Sequence, residues 1–186
     1  MRIAWEAMRA LSTALAIAAS MAAPSAGAQQ TRLPTPDIHF VPTPTAIVDA
    51  MLKLARVTAT DVIYDLGSGD GRIVITAAQK YGARGIGVEI DPELIKEATK
   101  NARKAHVADQ VTFLQADLFK TDLSEASVVT LFLSASINRR LEAKLKRELK
   151  PGSRIISHRF PIDDWKPDED VEVKGTHVYL WNIPPR

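Results

Sequence analysis

The sequence predicts an α/β fold: a seven-stranded, mostly parallel sheet with helices on both faces and a C-terminal antiparallel hairpin. Three observations support this prediction. Short apolar runs alternate with longer amphipathic stretches from residue 45 onward, as in a chain of βαβ units. One of these runs breaks into a glycine-rich turn at residues 67–71. Near the end of the chain, two short strand-like runs flank Gly175, which is typical of a hairpin.

The composition limits the class of protein. The chain has 186 residues, 46% of them apolar, and a formal net charge of +2, which suits one soluble globular domain. This charge balance implies no polyanionic partner, so we expect no nucleic acid. The sequence contains no cysteine, and its four histidines show no ligand spacing. We therefore expect no disulfide framework and no metal site.

Residues 1–28 have the layout of a secretory signal peptide. Arg2 and Arg9 precede a mostly apolar stretch at residues 11–23, and Ala-Gly-Ala at residues 26–28 supplies a cleavage site. The apolar stretch is short for a membrane span. An uncleaved N-terminal anchor or an organellar transit segment is the alternative. We expect an exported protein, periplasmic or secreted, which would contact a membrane only if this segment stays attached as an anchor.

The residues after this segment divide into a lead-in and one domain. Residues 29–44 contain four prolines and predict an extended lead-in. Residues 45–57 predict an amphipathic helix, because Ile47 and Met51 are apolar at helical spacing. The predicted domain covers residues 45–186, and its first helix covers one end of the sheet.

The glycine-rich turn predicts a ligand site. Val62–Leu66 is a short apolar run that is followed at once by Gly67, Gly69 and Gly71. It predicts a buried strand that leads into a tight turn, with a helix over residues 72–81. Glycines in such a turn allow positive φ and let a ligand approach backbone N–H groups at the start of the helix. The pattern is typical of a nucleotide-type ligand.

A dinucleotide is disfavoured as that ligand. The dinucleotide fingerprint has its third glycine three positions after the second, whereas Gly71 follows Gly69 by two. Asp65 lies near the carboxyl end of the strand, where its carboxylate would repel a pyrophosphate. A ligand with an ammonium group would instead donate charge-assisted hydrogen bonds to Asp65.

Two further acids follow the next two predicted strands, at residues 85–89 and 111–114. Glu89 ends the second strand, at the place where a βαβ unit puts an acid that accepts from both ribose hydroxyls. Asp117 comes shortly after the third strand. Three acids that follow three successive strands are more specific than any one of them. We predict that they line one site at the carboxyl edge of the sheet.

The remaining elements follow from the same patterns. The basic residues on the helix after the fourth strand are interrupted by Glu142 and Glu148 and have no interleaved aromatic residues, so they predict a solvated face rather than a nucleic-acid site. The predicted elements are a fourth strand within residues 127–133, a helix with apolar positions from 137 to 149, a fifth strand at 154–157, and a hairpin from 171–174 and 177–181.

At this point a family resemblance can be stated. Asp65-Leu-Gly-Ser-Gly-Asp-Gly71 resembles the first motif of class I S-adenosylmethionine-dependent methyltransferases. The resemblance implies a Rossmann-like fold and S-adenosyl-L-methionine as the cofactor. It implies that Ile90 flanks the adenine, that Asp117 accepts from the adenine amino group and that Leu118 contacts the ring. The implied cofactor-binding residues are Asp65, Gly67, Gly69, Gly71, Glu89, Ile90, Asp117 and Leu118.

The same resemblance suggests residues on the side of the methyl acceptor. It implies that the turn containing Thr43 closes over the methionine end of the cofactor. Ser134 lies at the exit of the fourth strand, where acceptors meet the cofactor, and the chain lacks the Asn/Asp-Pro-Pro-aromatic sequence that nucleobase methyltransferases often show there. His158 and Arg159 follow the fifth strand, close to the expected acceptor. Methyl transfer requires alignment and a dry pocket rather than a triad, and no catalytic residue is identified.

A narrower resemblance suggests the acceptor. Phe40-Val-Pro-Thr-Pro44, Gly87-Val-Glu89 and above all His158-Arg-Phe-Pro161 with Trp165 resemble the lysine methyltransferases that act on the c subunit of ATP synthase, and their prokaryotic relatives. This implies protein-lysine N-methylation. The alternatives are a small-molecule methyltransferase, a non-catalytic module that binds S-adenosylmethionine, and a basic nucleic-acid-binding domain.

Overall fold

The computed structural model describes residues 40–185. The predicted signal peptide or anchor at residues 1–28 and the lead-in up to residue 39 lie outside the described residues, and residues 40–44 form neither helix nor strand. The elements are α1 (Thr45–Leu54), β1 (Val62–Leu66), α2 (Arg72–Tyr81), β2 (Arg84–Glu89), α3 (Pro92–Lys104), β3 (Val111–Gln115), β4 (Val128–Leu131), α4 (Ala135–Glu148), β5 (Arg154–His158), β6 (Glu169–Val173) and β7 (Thr176–Asn182).

All seven strands form one sheet in the order β3-β2-β1-β4-β5-β7-β6. The first five strands in this order are parallel, while β7 pairs antiparallel with both β5 and β6. The predicted fold class is therefore confirmed, including the C-terminal hairpin. The strand order reverses at β1 and β4, which is the switch point at which open α/β sheets bind ligands.

Helices cover both faces of the sheet because the strand side chains alternate. In β1, Ile63 belongs to an apolar cluster with residues of α1 and α2, whereas Tyr64 and Leu66, on the opposite face of the strand, belong to a second cluster with residues of α4. The hairpin follows the same rule, since Leu180 joins the first cluster and Trp181 the second. The two faces are therefore packed against different helices, and the carboxyl edge of the parallel strands is left for a ligand.

Several element ends differ from the sequence prediction by one to three residues, among them the ends of α1 and β4 and the start of β6, which lies at Glu169 rather than residue 171. Helix α1 ends at Leu54 rather than residue 57, because Arg56 adopts a φ of 50° and Val57 donates its N–H to the carbonyl of Leu52 at 3.1 Å. This is a Schellman-type helix end in which an arginine occupies the place usually held by glycine. Strand β4 ends at Leu131, so the two residues after it are free to leave the sheet. No helix within residues 40–185 is long and apolar enough to cross a membrane.

Candidate functional site

A cavity of about 420 Å³ lies at the carboxyl ends of β1, β2 and β4. Its wall comes from residues 40–43, the glycine-rich turn, the segments after β2, β3 and β4, and the first turns of α4. It carries more acidic than basic side chains, which favours a cationic ligand. The acids of the wall are Asp65, Asp70, Glu89, Asp91 and Asp117, and its basic residues are Arg72 and Arg140.

The three predicted glycines have different roles in the turn. All three have positive φ, and the N–H of Gly67 donates to the carbonyl of Val88 at 2.8 Å. Gly67 lines the cavity. Gly69 lies beneath the ring of Phe40, which leaves no room for a Cβ. Gly71 starts α2, and a Cβ there would lie 2.6 Å from the Phe113 ring. Of the three, only Gly67 belongs to the cavity wall.

Glu89 connects the glycine-rich turn to the end of β2. One of its carboxylate oxygens accepts the N–H of Gly69 at 2.9 Å, and the other accepts the N–H groups of Ile90 at 2.7 Å and Asp91 at 3.0 Å. Its side chain is buried, yet the residue lines the cavity. Glu89 therefore lies at the cavity, as its position in the sequence predicted. It also links the glycine-rich turn to β2, a structural role that the sequence pattern did not indicate.

Asp65 is the most deeply buried acid of the cavity wall. Only 2% of the residue is exposed, and its carboxyl accepts the hydroxyl of Thr130 at 2.7 Å. Burial raises the pKa of Asp65 to about 7, against the lowering effect of the Thr130 hydrogen bond, and the negative charges of Glu89 and Asp70 raise it further. Thr130 stands directly beside Asp65 in the β1–β4 register. Thr130 is the polar residue of an otherwise apolar, buried strand, and this pattern in the sequence could have identified it as a partner of a buried polar group.

The segments after β2 and β3 form the side on which adenine was expected. Ile90, Asp117 and Leu118, which the family resemblance suggested as adenine contacts, all line the cavity. Asp117 also accepts the N–H of Phe119 at 2.9 Å, so one of its oxygens stabilises its own turn. Phe119 is a wall residue that the sequence analysis missed.

The wall also includes Arg140, which the sequence analysis assigned to a solvated face. Arg140 is exposed, but its guanidinium lies 4.0 Å from the centroid of the Phe119 ring, and the residue lines the cavity. Ile137, one turn earlier on α4, lines the cavity as well. The i, i+3 spacing of these two residues places them on one helix face. This spacing could have identified Arg140 as a residue of the cavity wall.

The four residues predicted on the acceptor side occupy different environments. Thr43 is buried and lines the cavity, and its carbonyl accepts Arg72 Nη1 at 2.9 Å. The remaining guanidinium donors of Arg72 bind Asp70. Ser134 is the N-cap of α4 and is absent from the cavity wall that residues 40–185 form. Arg72 thus attaches the lead-in to the glycine-rich turn, a contact that no sequence pattern indicated.

Neither His158 nor Arg159 belongs to the cavity wall that residues 40–185 form. The His158 ring is buried and lies 4.1 Å from the ring of Phe132, which lines the cavity. Burial lowers the pKa of His158, and the charge of Arg159 lowers it further. Arg159 is exposed, with a φ of 69°. No group of three or more His, Cys, Asp or Glu side chains within the described part of the chain could hold a metal ion.

Comparison with known proteins shows what this site resembles. The model of the ANTKMT methyltransferase domain matches residues 65–169. A protein-lysine N-methyltransferase of Saccharolobus islandicus is 44% identical over 153 residues, which cover 80% of this chain and 95% of that protein. The Xenopus laevis lysine N-methyltransferase that is named for the c subunit of ATP synthase is 37% identical over 131 residues, or 70% of this chain. The aligned region spans 57% of the length of the Xenopus protein.

A solved structure gives the same picture for the fold and the ligand. A crystal structure described as an RNA methyltransferase from Salinibacter ruber, in complex with S-adenosyl-L-homocysteine, is 56% identical to this chain. It matches with a TM-score of 0.77 and covers 78% of this chain and 95% of its own. The ligand in that structure is the product form of the cofactor that the family resemblance of residues 65–71 implies.

Proposed function

The chain belongs to the ANTKMT methyltransferase family and is an S-adenosylmethionine-dependent methyltransferase, and we propose that its methyl acceptor is a lysine side chain of a protein. The observation that carries the proposal is the 44% identity to a protein-lysine N-methyltransferase over 95% of that protein's length. The motifs that bind the cofactor do not by themselves distinguish one class of methyl acceptor from another.

The residues of the cavity fit the cofactor. Ser68 lines the cavity, and its buried Oγ has no hydrogen-bond partner among residues 40–185. Asp65 is a buried carboxyl that suits an ammonium group. Glu89, Ile90 and Asp117 supply acceptors and apolar contact beside it. The cofactor supplies a methyl carbon already activated by its sulfonium.

The chain's own residues then have to align the acceptor and exclude water. Phe132, Leu133 and Ile137 give the acceptor side an apolar wall, which keeps the approach dry. A lysine amine has to arrive uncharged in order to attack. The imidazole of His158 lies behind Phe132, so we assign it to support of the wall and assign no residue as catalytic base.

RNA is the second candidate acceptor, because the Salinibacter relative is described as an RNA methyltransferase. The charges of this chain give it less support. Several basic residues of α4 are engaged within the chain: Arg139 pairs with Asp163 at 3.0 Å, Lys144 with Glu148 at 2.7 Å and Lys146 with Glu142 at 2.6 Å. Side chains paired in this way favour an ion-paired surface over a phosphate-binding one.

The test compares both acceptors in one experiment. The full-length protein is incubated with S-adenosylmethionine labelled in the methyl group and with protein or total RNA from cells in which the gene is deleted. We expect label in material that protease degrades and ribonuclease does not, with methyllysine after acid hydrolysis. Label confined to RNA, or methylated protein without methyllysine, would contradict the proposal.

The variant pair for this test makes one chemical change at two places. Asp65→Asn alters the buried acid of the cavity wall, and Asp164→Asn alters an exposed acid outside it. We expect Asp65→Asn to lose nearly all transfer and Asp164→Asn to match the wild type. Equal activity of both variants would mean that the label does not come from this cavity.

We also propose, from the sequence pattern of residues 1–28, that the protein is exported. An uncleaved anchor or an organellar location is the alternative outcome. Cell fractionation followed by N-terminal sequencing tests this, and we expect a mature chain that begins at Gln29 outside the cytoplasm. A cytoplasmic chain that begins at its first residues would contradict the proposal and would place the enzyme where its cofactor is made.

A further inference from the structure

Asp65 combines two properties that rarely occur together in an acid. It is 98% buried, and it still lines the cavity that holds the cofactor. Its hydrogen bond from Thr130 at 2.7 Å involves Oδ1, which leaves Oδ2 for a ligand. Thr130 itself is fully buried in β4, so the two groups hold each other in a fixed orientation.

The charged groups around Asp65 do not neutralise it. Glu89 from the end of β2 and Asp70 from the glycine-rich turn act on it with negative charge. Arg72, the cation of that turn, is engaged by Asp70 and by the Thr43 carbonyl. From α4, Arg140 stacks on Phe119. Thr130, from β4, offers a neutral donor only.

A buried carboxylate without a cation is costly, so it takes up a proton or binds a positively charged group. The pKa of Asp65, raised to about 7 by burial, agrees with this argument from the contacts. The amino acid end of S-adenosylmethionine carries an ammonium group. That group can replace the proton as the neutralising charge.

We propose that Asp65 holds a proton while the cavity is empty and exchanges it for the ammonium group of the cofactor, with Thr130 as the residue that orients the carboxyl for this exchange. On binding, the O–H bond of the acid breaks, the proton passes to solvent, and the carboxylate formed accepts an N–H of the ammonium. No electron is transferred and no further reactant is needed. The proposal concerns the cofactor alone and does not depend on which acceptor is methylated.

The experiment is calorimetric titration of S-adenosylhomocysteine into the full-length protein at pH 6.0 and 7.5. Repeating each titration in buffers of different ionisation enthalpy gives the number of protons released. We expect about one proton per ligand at pH 6.0 and about a quarter at pH 7.5, with affinity about eightfold weaker at the lower pH. Proton release near zero at both pH values would overturn the proposal.

A second ligand separates Asp65 from every other titrating group of the cavity. 5′-Methylthioadenosine keeps the adenine, the ribose and the sulfur but lacks the amino acid end. We expect it to bind without proton release and with little pH dependence between pH 6.0 and 7.5. If it released as many protons as S-adenosylhomocysteine, the exchanging group would lie at the nucleoside end and the proposal would be wrong.

Variants test the roles of Asp65, as the group that exchanges the proton, and of Thr130, as the residue that orients it. Asp65→Asn should remove the proton release and weaken S-adenosylhomocysteine at both pH values, whereas Asp164→Asn should match the wild type. Thr130→Val removes the hydrogen bond that lowers the pKa of Asp65, so it should release more protons than the wild type at pH 7.5, and Thr130→Ser should restore the wild-type count. Wild-type proton counts in Thr130→Val would overturn the role of Thr130, and wild-type counts in Asp65→Asn would overturn the exchange itself.

Discussion

The two sides of the cavity are built in different ways. On the cofactor side, which comprises residues 65–71 and Glu89, backbone N–H groups bind nearby carbonyls and one carboxylate. On the predicted acceptor side, Asn138 and residues 157–161 lie outside the cavity wall and support it, and there a buried side-chain amide binds a backbone carbonyl: Asn138 Nδ2 donates to the carbonyl of Phe160 at 2.9 Å. The structure of the cofactor side therefore depends on the backbone and its glycines, whereas that of the acceptor side depends on one side chain.

The acceptor side also holds more unsatisfied and strained groups. Asn138 Oδ1 and His158 Nδ1 are buried without a partner among residues 40–185, and Arg159 has a φ of 69°. On the cofactor side the comparable atom is Ser68 Oγ, which is also buried without a partner among residues 40–185. Strain and unpaired polar atoms that persist in a fold are typical of functional segments. The difference predicts that the acceptor side serves recognition rather than stability, which the Arg159 variants below test.

The largest expected effect tests how rigidly the cofactor side is built. Gly71→Ala places a Cβ 2.6 Å from the Phe113 ring at a φ of 79°, so both packing and backbone conformation oppose it. We expect a loss of about 3 kcal/mol or more in the free energy of unfolding. Gly152→Ala is the matched control, because Gly152 has a φ of 83° and nothing within 4 Å of the new Cβ.

The control should lose about 1–2 kcal/mol, the cost of the backbone conformation alone. Urea unfolding of the two full-length variants beside the wild type measures both losses. The difference between them is the contribution of packing beneath the turn. Equal losses would mean that the turn can move away from Phe113, and the cofactor side would then be less rigid than the contacts indicate.

The next effect tests whether the two sides are independent. Asn138→Ala removes the amide that binds the Phe160 carbonyl and leaves a cavity, which we expect to cost about 2–3 kcal/mol. Ser157→Ala removes a hydroxyl that donates to the same carbonyl at 2.6 Å and should cost about 1 kcal/mol. Because both donors share one acceptor, the two losses should not add in the double variant.

The affinity for S-adenosylhomocysteine distinguishes the sides. We expect both variants to keep it within about twofold of the wild type, because their contacts lie on the acceptor side. Calorimetric titration measures this, and Asp65→Asn serves as the variant that should lose affinity. A large loss of affinity in Asn138→Ala at a temperature where it is folded would show that the two sides are coupled.

This contrast explains what the sequence could predict. Gly67, Asp65, Glu89 and Asp117 were predicted from their spacing, because each lies close to the end of a strand and parallel strands bring their carboxyl ends to one edge. The fold class could be predicted for the same reason, since alternating periodicity is a local property. Predicting these cofactor-side residues required only the glycine-rich turn and the rule that open α/β sheets bind ligands at the carboxyl ends of their strands.

The rest depended on contacts between distant positions. Thr130 and Asp65 are 65 positions apart, and Asn138 reaches a carbonyl 22 positions away. No local pattern specifies such a pair, because the register and packing that join them arise only after the sheet forms. Ser134 illustrates the converse: its place after β4 suggested the acceptor, but a serine before a helix also caps it, and that is its contact in the structure.

A third prediction uses pH to separate stability from binding at Asp65. Its folded pKa, about 7, lies above that of an exposed Asp, so the proton it holds stabilises the fold at low pH and this contribution is lost as the pH rises through 7. Asp65→Asn removes the dependence. We expect the advantage of the variant over the wild type, measured by urea unfolding, to grow by about 2–3 kcal/mol between pH 5 and pH 8, because an unfolded Asp already ionises near pH 4. A constant difference would contradict the assignment.

The smallest expected effect concerns the strain on the acceptor side. Arg159 holds its φ of 69° because the N–H of Phe160 returns to the carbonyl of His158 at 2.8 Å. Glycine adopts this conformation without a Cβ penalty, so Arg159→Gly should raise the free energy of unfolding by about 0.5–1 kcal/mol. Lys174→Gly is the control, since Lys174 has a φ of 54° in the turn between β6 and β7 and should gain similarly.

Only one of these two variants should lose activity. If the strained turn presents the Arg159 guanidinium to the acceptor, Arg159→Gly gains stability and lowers methyl transfer to the protein pool, while Lys174→Gly gains stability and keeps it. Arg159→Ala separates the causes further, because it removes the guanidinium and retains the backbone strain, so it should lose transfer without the gain in stability. Full transfer by Arg159→Gly would show that the strain serves the fold and that the acceptor is recognised by the cavity wall itself. Arg140 would then be the next residue to test, because it is exposed, basic and part of that wall.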